Sequence, residues 1–169
     1  GSQGNYGSVA YDYGIARTET SVADYVQFLN AVARYVPAGS TYDYLRNLWN
    51  DAMEATAASH SVIGSQILRT GTDGNWTYTA AEGAEQLPIA NVSWFNAARF
   101  VNWLENGQPV YGVFAPDPGT ETGTYTLNGT ETTVIITRTA DAKYWLPSED
   151  EWYKAAYYDP TKTTPSAAT

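Results

Sequence analysis

The sequence predicts a mixed helix-and-strand domain with few regular elements and long loops, and three observations predict it. The segment Tyr144-Trp145-Leu146-Pro147-Ser148-Glu149-Asp150-Glu151-Trp152-Tyr153-Lys154-Ala155-Ala156-Tyr157-Tyr158 reads as a strand end, a capped turn and an aromatic-faced helix. Ser148 and Glu151 have capping-box spacing, so the hydroxyl can accept the third amide while the carboxylate reaches back to the cap. Two further helical faces and several short extended runs, separated by stretches rich in Gly, Thr and Asn, complete the pattern.

The elements follow in chain order. Val9, Tyr11, Tyr13 and Ile15 alternate with Ala10, Asp12 and Gly14, the period of a half-buried strand. Thr20-Ser21 offers a cap with Asp24 three residues on. Val22, Tyr25, Val26, Leu29, Val32 and Ala33 then give one apolar helical face, closed near Tyr35 by Pro37 and Gly39. Tyr42, Leu45, Leu48, Trp49 and Met53 indicate a second helical stretch reaching about Ala58. Residues 64–85 are Gly-, Thr- and Asp-rich and read as a loop, with a strand-like patch at Trp76 and Tyr78.

Ser93 caps the best helix of the chain, in which Trp94, Ala97, Ala98, Val101 and Leu104 are expected to face inward. Asn106-Gly107 closes it with a left-handed turn. Pro109, Pro116, Pro118 and Gly119 make residues 108–123 a surface loop. A hairpin is expected around Asn128-Gly129, with Tyr125–Leu127 answered by Val134–Arg138.

Composition narrows function. The 169 residues suit one domain, able to bury roughly 70% of its unfolded surface. Charged residues are 16%, while 14 Tyr and 6 Trp are present, so aromatic packing and neutral hydrogen bonds must replace surface ion pairs. A net charge of −9 disfavours nucleic acid, whose phosphates need a basic face, and equally disfavours anionic membrane. No apolar run is long enough to span a bilayer. Without cysteine there is no disulfide, thiolate metal site or cysteine nucleophile within this sequence. Abundant Thr, Asn, Gly and Tyr with few lysines fits an exported, extracellular or cell-surface protein, its signal peptide lying outside this sequence.

The residues that could carry chemistry are few. His60 is the single histidine, and one imidazole cannot build a catalytic zinc or iron site. Glu149, Asp150 and Glu151 could act as paired carboxylates, but helix capping and the dipole explain all three. Asp73-Gly74-Asn75 resembles a fragment of a calcium loop without its remaining ligands, so calcium is unsupported and no cofactor is expected. Asn75, Asn91 and Asn128 head glycosylation sequons. Among the tryptophans, core roles are expected for Trp94 and Trp152. Trp76, with Tyr78 beside it, is the candidate for stacking on a ligand or glycan.

Three segments together resemble one family. Glu19-Thr20-Ser21-Val22-Ala23-Asp24-Tyr25-Val26-Gln27-Phe28-Leu29-Asn30 resembles the E-V-T-N-x-x-Y-x-x-F-L-N opening of the sulfatase-modifying-factor domain, the formylglycine-generating-enzyme-like domain. Pro88–Leu104 is similar to its P-V-x-x-V-S-W-x-D-A-x-x-F-x-x-W helix, with Asn96 in place of the Asp. Tyr144–Trp152 is similar to its Y-R-L-P-T-E-x-E-W-E segment, and the wording of residues 152–160 is nearest to exported bacterial members with a C-terminal sorting signal. Order and spacing agree over residues 9–160.

The resemblance implies an α+β, modified C-type-lectin-like fold with two main helices, small twisted antiparallel sheets and long loops. Residues 1–160 form the domain and residues 161–169 a polar tail. Family members continue into a half with G-N-V-x-E-W and R-G-G-S-W segments, which this sequence lacks, so the domain is expected to be incomplete at its C-terminus. In the oxidising members the copper-binding cysteines and the calcium ligands lie in that half. No catalytic residue carries over. The expectation is therefore a non-catalytic exported lectin-like scaffold for binding or assembly, the alternative being the N-terminal half of a formylglycine-generating-type oxidase. The aromatic face at Trp152, Tyr153, Ala156 and Tyr157 is expected to meet a second copy or a second chain, with carbohydrate as a further candidate partner.

Overall fold

The computed structural model describes residues 7–54, 65–112, 117–129 and 136–158. They fall into two compact units, one formed by Thr18–Leu146 and one by the segments before and after it. The sequence expectations at His60 and the return strand's residues 134 and 135 lie outside the described residues.

In the larger unit, α1 spans Val22–Val32. Its start is the expected capping box: Ser21 Oγ accepts from the Asp24 amide, and Asp24 Oδ2 accepts from the Ser21 amide. Val22, Tyr25, Phe28, Leu29 and Val32 are buried, which is the predicted face with Phe28 added. The helix stops at Val32, three residues before Tyr35. A 3-10 turn at Asp43–Leu48 and a separate α2 (Asp51–Glu54) stand where one continuous helix was expected, whose last residues, 55–58, lie outside the described residues. Leu45, Leu48, Trp49 and Met53 nevertheless enter the core as anticipated.

The sheet lies where a loop was expected. β1 (Ile67–Thr72) and β2 (Asn75–Ala80) form an antiparallel hairpin with Arg69 opposite Tyr78 and Gly71 opposite Trp76. Gly71 is required: it has φ +109°, and a Cβ there would lie 2.3 Å from the Asn75 carbonyl oxygen. The outer edge of β2 is closed by α1 and the residues after it. Asn30 donates to the Tyr78 carbonyl (2.8 Å) and accepts from its amide (3.1 Å), and the Trp76 amide donates to the Arg34 carbonyl (3.0 Å). An edge strand that would template further pairing is thereby satisfied by a side chain and a helix terminus.

α3 (Trp94–Glu105) starts at Ser93, whose hydroxyl accepts from the Asn96 amide, and ends at Asn106 with Gly107 at φ +79°. Its inward set differs from expectation. Ala98, Val101 and Trp103 are buried, but Trp94 in the first turn is 45% exposed, resting edge-on against Phe95 and Tyr125. Trp103 joins the main core against Phe28, whereas Ala98 and Val101 pack on Tyr125 and Leu127 in a second, smaller cluster. At the predicted turn, Asn128 and Gly129 have φ +54° and +71°, the left-handed pair that a tight hairpin uses, but residues 125–127 and the described residues 136–138 form no strand, so the expected hairpin is corrected to a turn.

In the smaller unit, α4 (Glu149–Tyr157) begins with the predicted capping box of Ser148 and Glu151. Residues 9–15 form no strand, and of the expected buried face Val9 and Tyr13 are half-buried while Tyr11 and Ile15 are exposed. Tyr11 and Tyr13 lie on one side, rings 6.1 Å apart, and both hydroxyls donate to Glu151. The segment is extended but pairs with side chains instead of a neighbouring strand.

Candidate functional site

Trp76 and Tyr78 sit on the inward face of the hairpin, together with Arg69. Tyr78 is 2% exposed and belongs to the main core, so its proposed role as a ligand contact is corrected: period 2 turns it inward with Ile67. Trp76 is half-buried. The Arg69 guanidinium lies 3.7 Å from the centre of the Trp49 ring and 4.6 Å from that of Trp76, a cation held between two indoles. Burial pushes the Tyr78 hydroxyl above the usual phenol range, with Arg69 pulling the other way.

Two of the three acids at the head of α4 are engaged in hydrogen bonds, and Glu149 is exposed. Glu151 is 1% exposed; its carboxylate accepts from the Tyr11 hydroxyl (2.5 Å) and the Ser148 amide (2.7 Å). Asp150 accepts from the Gly7 amide at 2.9 Å. Neither carboxylate is poised for proton transfer to a substrate. Along the rest of the helix Trp152 is 53% and Tyr157 63% exposed, with Tyr153 and Ala156 also exposed. Trp152 and Tyr153 both touch the Tyr157 ring, at 6.0 and 4.8 Å between centroids. The core role anticipated for Trp152 does not hold.

The polar edge of α3 organises a loop that sequence reasoning passed over. Arg99, Asn102 and Asn106 recur at helical spacing within an otherwise apolar pattern, and that intrusion was the available signal. Fully buried Arg99 donates from Nε to Glu121 (2.8 Å) and covers the Tyr44 ring. Asn102 donates to the Thr120 and Tyr125 carbonyls and accepts from the Tyr125 amide. Asn106 donates to the Gly119 and Thr122 carbonyls. Burial raises the Tyr44 phenol, and Glu121 raises it further, while a hydrogen bond with Thr120 and the Arg99 charge oppose both.

The sequon asparagines differ in availability. Asn75 opens β2 and is exposed. Asn91, at φ +60°, already donates its side-chain amide to the Ala52 carbonyl (3.0 Å). Asn128 is exposed in its turn. Among the described residues, no three His, Cys, Asp or Glu side chains group to hold a metal, and no helix is long and apolar enough to cross a membrane.

Comparison with known proteins gives one family. The model of the sulfatase-modifying factor enzyme 1-like domain matches residues 7–163. Neither a curated protein nor a solved structure gives a match. Among the described residues, four helices and one small two-stranded antiparallel sheet fit the α+β, C-type-lectin-like class to which that domain belongs. With its three signature segments inside the matched span, this chain belongs to the sulfatase-modifying factor enzyme 1-like domain family.

Proposed function

We propose that this domain is a non-catalytic module of an exported protein, used for binding or assembly outside the cell. One observation carries the reading: Asp150 and Glu151, two of the acids in the best-conditioned stretch for acid-base chemistry, are consumed by caps and backbone amides. The same helix leaves Trp152, Tyr153 and Tyr157 exposed, an aromatic strip suited to a protein or sugar partner. These 169 residues hold no cysteine, so thiol chemistry is not carried by them.

Family membership favours a second reading, in which these residues are the N-terminal portion of a formylglycine-generating-type oxidase whose cysteines lie outside this sequence. The two are separated by incubating the protein with copper, oxygen and a cysteine-containing peptide and reading the peptide mass. An unchanged mass, with the parent full-length protein equally inactive, is expected. Conversion of the cysteine to an aldehyde by that full-length protein would overturn the non-catalytic reading.

A further inference from the structure

Residues 34–46 and the hairpin meet along a seam where cations outnumber acids, in a chain of net charge −9. Arg34, Arg46 and Arg69 are three of its six arginines. Asp43 and Asp73 are both drawn to Arg46, at 3.1 Å each, and Asp73 also accepts from the Ala38 amide at 3.0 Å. Arg34 and Arg69 have no acidic partner among the described residues. Arg34 is fixed beside the hairpin by its own carbonyl, which accepts from the Trp76 amide, and its guanidinium stands 5.2 Å over the Tyr35 ring. Arg69 is clamped between Trp49 and Trp76.

The same seam holds donors without acceptors. Arg34 Nε, Arg46 Nε and Trp76 Nε1 are buried and unpartnered, and so is the Ser40 hydroxyl. A buried donor left unsatisfied forfeits its bonds to water with no return, so several in one place call for an acceptor. The residues that bear them are themselves half-buried, which gives a ligand an approach from solvent. An anion with two coplanar oxygens matches the planar fork of a guanidinium, and the half-buried Trp76 ring offers a flat apolar face beside it.

We propose that this seam is a binding site for the carboxylate of an acidic sugar, a uronate ring whose carboxylate takes Arg34 and Arg69 while the ring lies against Trp76. The proposal deepens the binding reading and rests on it for its biological use, yet assembly through α4 stands or falls separately.

The test is an NMR titration of the Arg Nε–H and Trp Nε1–H resonances with sodium glucuronate, sodium acetate, a short acidic peptide and sodium chloride at matched ionic strength. The expected result is saturable movement of the Arg34, Arg69 and Trp76 signals with glucuronate, half-complete at about 1 mM, and at least about tenfold weaker response to acetate. Arg34→Gln should abolish it while Arg17→Gln leaves it unchanged. Should Arg34→Gln disturb the fold, Arg69→Lys, which keeps the charge but not the planar fork, is expected to weaken binding at least about tenfold. Linear, unsaturating shifts, or shifts equal in chloride, would overturn the site. Equal affinity for acetate, or tighter binding of the peptide, would overturn the sugar as its ligand.

Discussion

Asn30 shows how one side chain can replace a strand. Its amide makes both hydrogen bonds that a neighbouring strand would make to Tyr78, and a further one to the Val26 carbonyl of its own helix. Asn30→Ala is expected to cost about 1–3 kcal/mol in urea unfolding, because two strand-edge groups lose their partner. Asn30→Asp keeps the acceptor but faces two carbonyls with a carboxylate, so it should be no better than Ala. In the sequence this asparagine stands out only through the family motif; its partner is 48 residues away, and no local pattern points to it. Arg69 was equally hidden, because alternation marks which face a residue takes and not which rings it meets. Trp94 misled for a related reason: it fits the apolar stripe, yet at the first helical position it overhangs the end of the core.

At the scale of elements, helices were legible and the sheet was not. α1, α3 and α4 announce themselves through 3.6-residue periodicity and a Ser at each start, and all three serines accept the expected amide. The hairpin of β1 and β2 carries mostly Thr on its outer face, so its alternation is faint, and Gly71 on the inward face adds a residue that strands disfavour. Only the register shows that Gly71 admits the close approach of the Asn75 carbonyl. The caps also separate structure from chemistry in α4. Ser148→Ala is expected to lower stability by about 1 kcal/mol and Ser148→Gly by a few tenths, read by thermal unfolding. Glu149→Gln should be near neutral, whereas Glu151→Gln, replacing a buried carboxylate bonded to Tyr11 and Ser148, should destabilise clearly. A reversed order, with Glu149 the more sensitive, would mean that the first-turn acids have a role beyond capping.

For the whole molecule, aromatic packing and negative charge set the response to solution conditions. Tyr25 is fully buried, donates to the Leu48 carbonyl, and has its phenol pushed well above the ordinary range by burial, with Arg99 opposing. Below the ordinary phenol value of about 10 the ring is neutral in folded and unfolded chains, and its contribution is complete. Above that value the unfolded chain ionises while the folded one does not. Stability therefore falls as pH rises from about 10 toward the folded value, by up to about 1.4 kcal/mol per pH unit for this group. A fraction of the phenolate absorbance should accordingly lag and then rise together with unfolding. All fourteen phenols titrating together around pH 10 in a chain that stays folded would contradict the buried placement.

The central claim is that the domain works by association through exposed aromatic surface and not by catalysis. Sedimentation velocity over a concentration series, in low and high salt, tests it most directly. Screening at 1 M salt shortens the Debye length to about 3 Å and relieves repulsion between chains of charge −9. The account predicts reversible association that strengthens with salt and weakens when Trp152 and Tyr157 are both replaced by Ser. A single monomeric species at every concentration and salt, with or without that substitution, would contradict it.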